Sequence, residues 1–418
     1  MSSLNSAMPL LREPRLVSDR SIVALAALNF FLADARDGLG PFLDAFLATR
    51  GWSVLTLGWI ATLGGLLGLV ATPLCGALVD ASRWKRALIA GPVALITGAA
   101  LLTLLSPNPA VVWIGQLGTA VIGAAVGPAL AGLTLGLVGE RLFAGQVARN
   151  EFWNHGGNFA SLFAVYVAVS AFGQGGVVWL MIATAFGALG ALAAIDPARI
   201  DHDVARGLGH DAGAPGPSGL RTLLDCPGLI FLALTLLVFH WANAPMGRLI
   251  AQQYALELGT PFRTTAIITG VAQATMLFTA MATPWLLRRL GLGPLMLVAL
   301  LALPLRGLLA GWGQGFGIVY PVQMLDGIGG GLLGILTPVA VERLLSGTGR
   351  FNLGLAAVMT IQGVGASLSN VAASWLVTQG GYRLSHLAGA GVACAAPVMM
   401  LAFRRRIAPP ARTPDRDA

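Results

Sequence analysis

Residues 54–86 read VLTLGWIATLGGLLGLVATPLCGALVDASRWKR. The first part, 54–78, holds no charged residue. It is longer than the about 20 apolar residues a helix needs to cross a bilayer core. Four charges then fall within 80–86, at Asp80, Arg83, Lys85 and Arg86. An uncharged run that stops at a basic connector reads as a membrane span ending at a water interface. The rest of the chain agrees. Of 418 residues, 56% are hydrophobic and 11% are charged, and the mean hydropathy is +0.76. Soluble domains carry about 25% charged residues, so this chain has too few to clothe a soluble surface. A large soluble enzyme and a disordered chain are excluded. The 55 glycines show no G-X-Y period, which excludes collagen and suits membrane helices in close contact.

Apolar runs of spanning length recur near 22–45, 54–78, 87–105, 111–137, 151–172, 176–195, 226–248, 264–287, 294–310, 317–341, 353–377 and 384–403. Twelve spans are therefore expected. Their connectors are short except 196–222, which is rich in Gly, Pro, Asp and Arg and reads as a flexible linker. The expected fold is an all-α membrane protein: six spans in 1–195, the linker 196–222, and six spans in 223–418. With the N-terminus inside, the inner segments hold twenty of the 26 basic residues, and the outer segments hold Arg50, Arg248, Arg263 and Arg383. That bias predicts both termini in the cytoplasm. It also accounts for the net charge of +8 without any nucleic-acid partner. Cys75, Cys226 and Cys394 are far apart and read as packing residues, not as a disulfide or metal set. The first run starts near residue 22, carries internal charges and reads as a retained span, not a cleaved leader.

The two halves repeat. Glu140, Arg141, Leu142 and Asn150 recur 202 residues later as Glu342, Arg343, Leu344 and Asn352, and Gly127 and Gly132 recur as Gly329 and Gly334. A small-residue run follows each connector, GGNFASL at 156–162 and GVGASL at 363–368. Two parallel repeats with a midplane site between them is a transporter layout.

The connector GALVDASRWKR at 76–86 resembles the G-x-L-x-D-x-x-G-R-R/K signature that the major facilitator superfamily carries between its second and third spans. Gly76, Leu78, Asp80, Lys85 and Arg86 match, whereas Arg83 and Trp84 stand where the signature has Gly and its first Arg. The resemblance covers nearly the whole chain. It implies two six-helix bundles rocking about a central cavity, with this connector in an inner gate. Asp80, Arg83, Arg86, Glu140, Arg141, Arg149, Glu151, Glu342, Arg343 and Arg350 are the candidate gating residues, with ordinary inside-positive loop charges as the plain alternative. GAAVGPALAG at 123–132 resembles the glycine-proline motif of drug/proton antiporters but falls on the fourth span instead of the fifth, and reads as packing. That span also has Gln116 where those branches often carry Arg. NFFLADARDGLGPF at 29–42 and GTGRFN at 347–352 look like a group of bacterial members of the superfamily.

A charge inside a span costs about 2.5–3.5 kcal/mol on insertion scales, so it needs a cavity or a partner. The first span holds Asp34, Arg36, Asp37 and Asp44. Asp34 and Asp37 share a helix face, while Arg36 shares another with Asn29 and is expected to find its anion on a different helix, with Asp326 the leading choice. Gly38, Gly40 and Pro41 are expected to unwind the helix there. In the fifth span Glu151, Asn154, His155 and Asn158 form one helical stripe, expected to face the cavity. Gln323 and Asp326 are three apart in the tenth span, and Gln273, Gln362 and His240 add further polar groups. The competing readings are an ion pair that only holds the bundle together and amides that bond between helices.

These observations predict a monomeric secondary transporter of the bacterial inner membrane, in contact with lipid. A small organic solute, polar or zwitterionic, would bind between the halves. Access would alternate, with protons as the driving ion and export as the direction. Uptake or facilitated diffusion is the alternative. Asp34, Asp37, Asp326 and His155 are the proton candidates. No P-loop is present, so ATP is not the direct energy source and no cofactor is expected. The five histidines are dispersed and no HExxH or Gly-x-Ser-x-Gly element occurs, which argues against a membrane enzyme. No segment is long enough for the output domain of a sensor.

Overall fold

The computed structural model describes residues 19–35, 38–202, 204–206, 225–345 and 351–407. Arg36, Asp37, Arg350 and segment 207–222 lie outside these, as do the side chains of Asp80, Glu140 and Arg141. The helices are α1 Arg20–Ala35, α2 Phe42–Thr49, α3 Val54–Ala81, α4 Ala87–Leu105, α5 Pro109–Gly123, α6 Val126–Val138, α7 Glu140–Phe172 and α8 Gln174–Ala194 in the first half. The second half holds α9 Pro227–Leu258, α10 Pro261–Leu290, α11 Leu292–Trp312, α12 Val319–Leu344, α13 Phe351–Ala393, α14 Ala395–Ala402 and α15 Arg404–Ile407. No strand occurs among the described residues.

Ten helical stretches are long and apolar enough to cross a membrane. One of them, Leu353–Ala402, is two passes. Its backbone leaves helical geometry at Gly380 and Gly381, and Ser385 Oγ donates to the Ala373 carbonyl (3.0 Å) across the resulting hairpin. The first pass is α1 plus α2, interrupted before Pro41 where unwinding was expected. With these, the twelve expected runs all have helical counterparts. Two ends move most: α7 begins at Glu140 where the expected run began at 151, and α9 continues to Leu258 where the expected run ended at 248. Arg248 therefore sits inside a helix and not in an outer connector, a correction with consequences below.

Successive passes alternate in direction and define two faces. Asp19 and the Arg404–Ile407 turn mark the terminal face, where Asp19 pairs with Arg199. Arg50, bonded to Gln174 (2.9 Å), marks the far face. Local signals fix the helix starts there. Ser53 accepts from the Thr56 N–H (3.0 Å), and Asn108, followed by Pro109, accepts from the Val111 N–H (3.0 Å). Both are N-caps that satisfy an orphan donor. Gly173, with φ 60°, makes the tight turn from α7 to α8, a backbone conformation that other residues rarely adopt.

Each half has its own apolar core. Leu25, Leu28, Val93, Leu133 and Ala188 pack together in the first. Leu236, Phe239, Met296, Leu300 and Leu336 do so in the second. A third cluster crosses the seam near the far face, joining Phe42, Phe46 and Leu162 to Phe262 and Ala266. Between membrane helices, close contact replaces the hydrophobic effect as the driving force, and small residues permit it. A β-carbon at Gly157, in the repeated small-residue run, would collide with the carbonyl oxygen of Phe30 in α1. Gly157→Ala is therefore expected to force α7 off α1 and cost about 1–3 kcal/mol, read as a lower melting temperature in detergent. Gly156→Ala, where nothing lies within contact distance, is the matched control.

The linker is less free than its composition suggested. Asp201 N–H donates to the Gly136 carbonyl (2.9 Å), and Ile200 and Ala205 are buried against the first half. These two buried apolar side chains pin the start of the stretch to α6, and Gly136 gives the backbone room to approach.

Candidate functional site

A cavity of about 740 Å³ lies between the halves. From the first half it is lined by α2, α3, α4, α5 and α6, with Asp44, Gln116 and Thr119 as polar groups. From the second it is lined by α9, α10 and α12, with Arg248, Thr269, Gln273, Gln323 and Asp326. The size is that of an ordinary small-molecule site.

Among the described residues, two ion pairs flank this space. The first joins the halves. Arg248 Nη1 meets Asp44 Oδ2 at 2.8 Å, with the side chains 13% and 10% exposed. The same guanidinium donates to Asn370 Oδ1 (3.2 Å), the Asn370 carbonyl (3.2 Å) and Ser374 Oγ (2.8 Å) on α13. The second pair lies within the second half. Arg306 on α11 is 1% exposed. Its Nη1 contacts Asp326 Oδ1 (2.8 Å) and donates to Asn243 Oδ1 (2.7 Å). Its Nη2 donates to Gln323 Oε1 (2.9 Å), while Gln323 Nε2 donates to the Ile268 carbonyl (3.0 Å) on α10. One buried cation thereby ties α9, α10, α11 and α12 together and presents Asp326 to the cavity. Arg36, the expected partner of Asp326, lies outside the described residues; among those described, Asp326 pairs with Arg306, on the neighbouring pass of the same half.

Of the sequence-chosen cavity residues, Gln273, Gln323 and Asp326 line this space. Asp34 is elsewhere, inside the first half. It accepts from Ser161 Oγ (2.5 Å) and Thr184 Oγ1 (2.8 Å), linking α1, α7 and α8. Asn29 is buried and bonds to the Leu25 carbonyl one turn back (2.8 Å). The α7 stripe does not line the cavity. Asn154 is buried and accepts from Asn158 (3.4 Å), while Glu151 and His155 are exposed. The stripe is thus divided, with Asn154 buried and Glu151 and His155 exposed, and none of its four residues is among those that line the cavity. His240 packs edge-on to Phe239, and neither it nor Gln362 is among the lining residues.

Of the gating candidates, Arg83, Arg149, Glu151 and Glu342 are exposed and Arg343 is half-buried. Arg86 donates to the Ala193 carbonyl (3.4 Å). Among the described residues, the side-chain bonds between the halves lie toward the far face. Besides the Asp44–Arg248 pair, Thr62 Oγ1 donates to the Ser367 carbonyl (2.8 Å) and accepts from the Val371 N–H (3.0 Å). A β-carbon at Gly58 would strike Ser374, and one at Gly65 would strike Ser367. Asp44, Arg248 and Arg306 are the residues that sequence reasoning left out of the site. The signal was present, since each is a charge within a helical pass. Ending the seventh run at its first charge concealed it for Arg248. Among the described residues, no group of three or more His, Cys, Asp or Glu side chains converges as a metal site would require.

Residues 22–371 match the sequence profile of the MFS_1 like family. Two uncharacterized MFS-type transporters of Mycobacterium tuberculosis, MT2531 of strain CDC 1551 and Rv2456c of strain H37Rv, are each 37% identical over 386 residues, covering 90% of this chain and 92% of the relative. A point variant of the nucleoside transporter NupG superposes with a TM-score of 0.73 at 17% identity, over 92% of this chain and 99% of that one. A D-xylose-proton symporter does so with a TM-score of 0.66 at 14% identity, over 92% and 97% of the two chains. At such identities the likeness is one of fold.

Proposed function

Since this chain belongs to the MFS_1 like family and is a membrane transporter of the MFS type, we propose that it is a secondary active transporter moving a small polar solute by alternating access. The observation that carries this is the central cavity, bounded by both halves and sealed toward one face by the Asp44–Arg248 pair and the Phe42, Phe46 and Phe262 cluster. The Lys/Arg bias assigns the terminal face to the cytoplasm of a bacterium, so this state is closed to the outside. Closing the terminal face would use the connector charges Asp80, Arg83, Glu140, Arg141, Arg149, Glu342, Arg343 and Arg350, and opening the far face would break the Asp44–Arg248 bridge.

Protons drive the cycle in this reading, and export is its direction. Asp326 is the leading coupling group, because it faces the cavity while its partner Arg306 is fully buried. Asp34 is the second candidate, held by two hydroxyls. In proteoliposomes with an imposed pH gradient, Asp326→Asn is expected to keep solute exchange and lose gradient-driven accumulation. Unchanged gradient dependence would remove Asp326 from coupling. Accumulation with the proton flow instead of against it would make the protein an importer.

A further inference from the structure

The cavity specifies the chemical class of its solute, an inference that rests on the transporter reading above. Among the described residues its fixed charges cancel. Asp44 is matched by Arg248 and Asp326 by Arg306, each at 2.8 Å. An ion entering this space would meet no uncompensated countercharge among them and would lose its hydration without replacement.

The uncharged groups are plentiful and placed on both sides. Gln116 and Thr119 lie one turn apart on α5, and Thr269 and Gln273 lie one turn apart on α10. Among the described contacts each carboxylate gives one oxygen to its guanidinium, and the second can accept from a ligand donor. The remaining lining is aliphatic, with Leu43, Ile60, Ile96, Ile268 and Met276.

Among the described residues, no Phe, Tyr or Trp lines the cavity. None occurs in segments 1–18, 36–37, 207–224, 346–350 or 408–418 either. Phe42, Phe46 and Phe262, near the far-face end, are spent on one another, with Phe42 and Phe46 each 5.6–5.9 Å from Phe262 between ring centroids. A planar base or aromatic drug would find no ring to stack on.

We propose that the solute is a small aliphatic molecule of zero net charge bearing several hydrogen-bonding groups. Its donors would meet the second oxygens of Asp44 and Asp326, and its acceptors the amides of Gln116 and Gln273.

Two measurements test this. The first needs no solute. Cys75, Cys226 and Cys394 are replaced by Ser, Gln273→Cys is added, and the thiol is reacted with neutral hydroxyethyl, cationic trimethylammonium and anionic sulfonate thiosulfonates. Each rate is divided by that for free cysteine. The two charged reagents are expected to match each other closely and both to lag the neutral one. A preference of about tenfold or more for either sign would reveal a net field in the cavity and overturn the proposal. The second exposes the full chain to four pools and records the melting temperature: neutral and zwitterionic aliphatic solutes, nucleosides and nucleobases, carboxylic acids, and organic cations. A shift from the first pool that is lost in Gln116→Ala/Gln273→Ala supports the proposal. A shift from another pool only, or from none, overturns it. Failure of the transporter reading would look different: the first pool would bind, yet give no counterflow in proteoliposomes.

Discussion

Arg306→Met is expected to abolish transport and to lower the melting temperature more than any other single change in the second half. Arg306 is 1% exposed and satisfies Asp326, Asn243 and Gln323 at once. Removing it leaves a carboxylate and two amides unmatched beside an apolar core. Breaking one partner out of a buried pair costs about 3–5 kcal/mol. Asp326 keeps some contact with the cavity, at 17% exposure, which places the loss toward the lower end. The paired change Arg306→Met/Asp326→Leu separates structure from function. Replacing both charges by apolar groups is expected to restore most of the stability, since a buried ion pair contributes little net. It should not restore transport, because the cavity then lacks its acceptor. A double variant that is stable and transports at the wild-type rate would reduce the pair to a structural brace.

The second large effect concerns the far-face seal. In Asp44→Asn the Arg248 guanidinium keeps Asn370 and Ser374 but loses its charged partner across the seam. Truncating one side of a desolvated interfacial pair costs about 2–5 kcal/mol, and about 1.4 kcal/mol is tenfold in an equilibrium. The population should therefore move by at least about tenfold away from the far-closed state. An impermeant reagent applied from the far side is expected to label Gln116→Cys much faster in the Asp44→Asn background, and net transport should fall. The exchange Asp44→Arg/Arg248→Asp is expected to recover part of both, because the seam still pairs opposite charges. Labelling that is unaffected by Asp44→Asn would assign closure to the Phe42, Phe46 and Phe262 packing and the Gly58 and Gly65 contacts alone.

The two predictions rest on residues that the sequence displayed unevenly. Asp326 and Gln323 were visible as a polar pair three residues apart in an apolar run, and both reach the cavity. Asp34 was equally visible as a costly charge. Its partners, Ser161 and Thr184, lie on two other helices of its own half, and no periodicity within α1 could indicate them. The α7 stripe shows the same limit: spacing identifies which residues share a face, and only the neighbours decide what that face meets. Arg248 was lost for a simpler reason. Its helix runs ten residues past the point where charge begins, because one end of α9 is buried in protein and not in lipid.

From sequence alone came the membrane class, the twelve passes, the internal repeat, the family and the expected side of the termini. All follow from local or one-dimensional quantities: the bilayer demands apolar runs of a set length, insertion is biased by Lys and Arg, and duplication leaves a constant offset. The tertiary structure alone decided which charges pair, which half each pair belongs to, and which face of each helix looks into the cavity. Those depend on helix rotation and packing, where small residues such as Gly157 and Gly58 let particular backbones meet, and a chain read one span at a time holds no record of that.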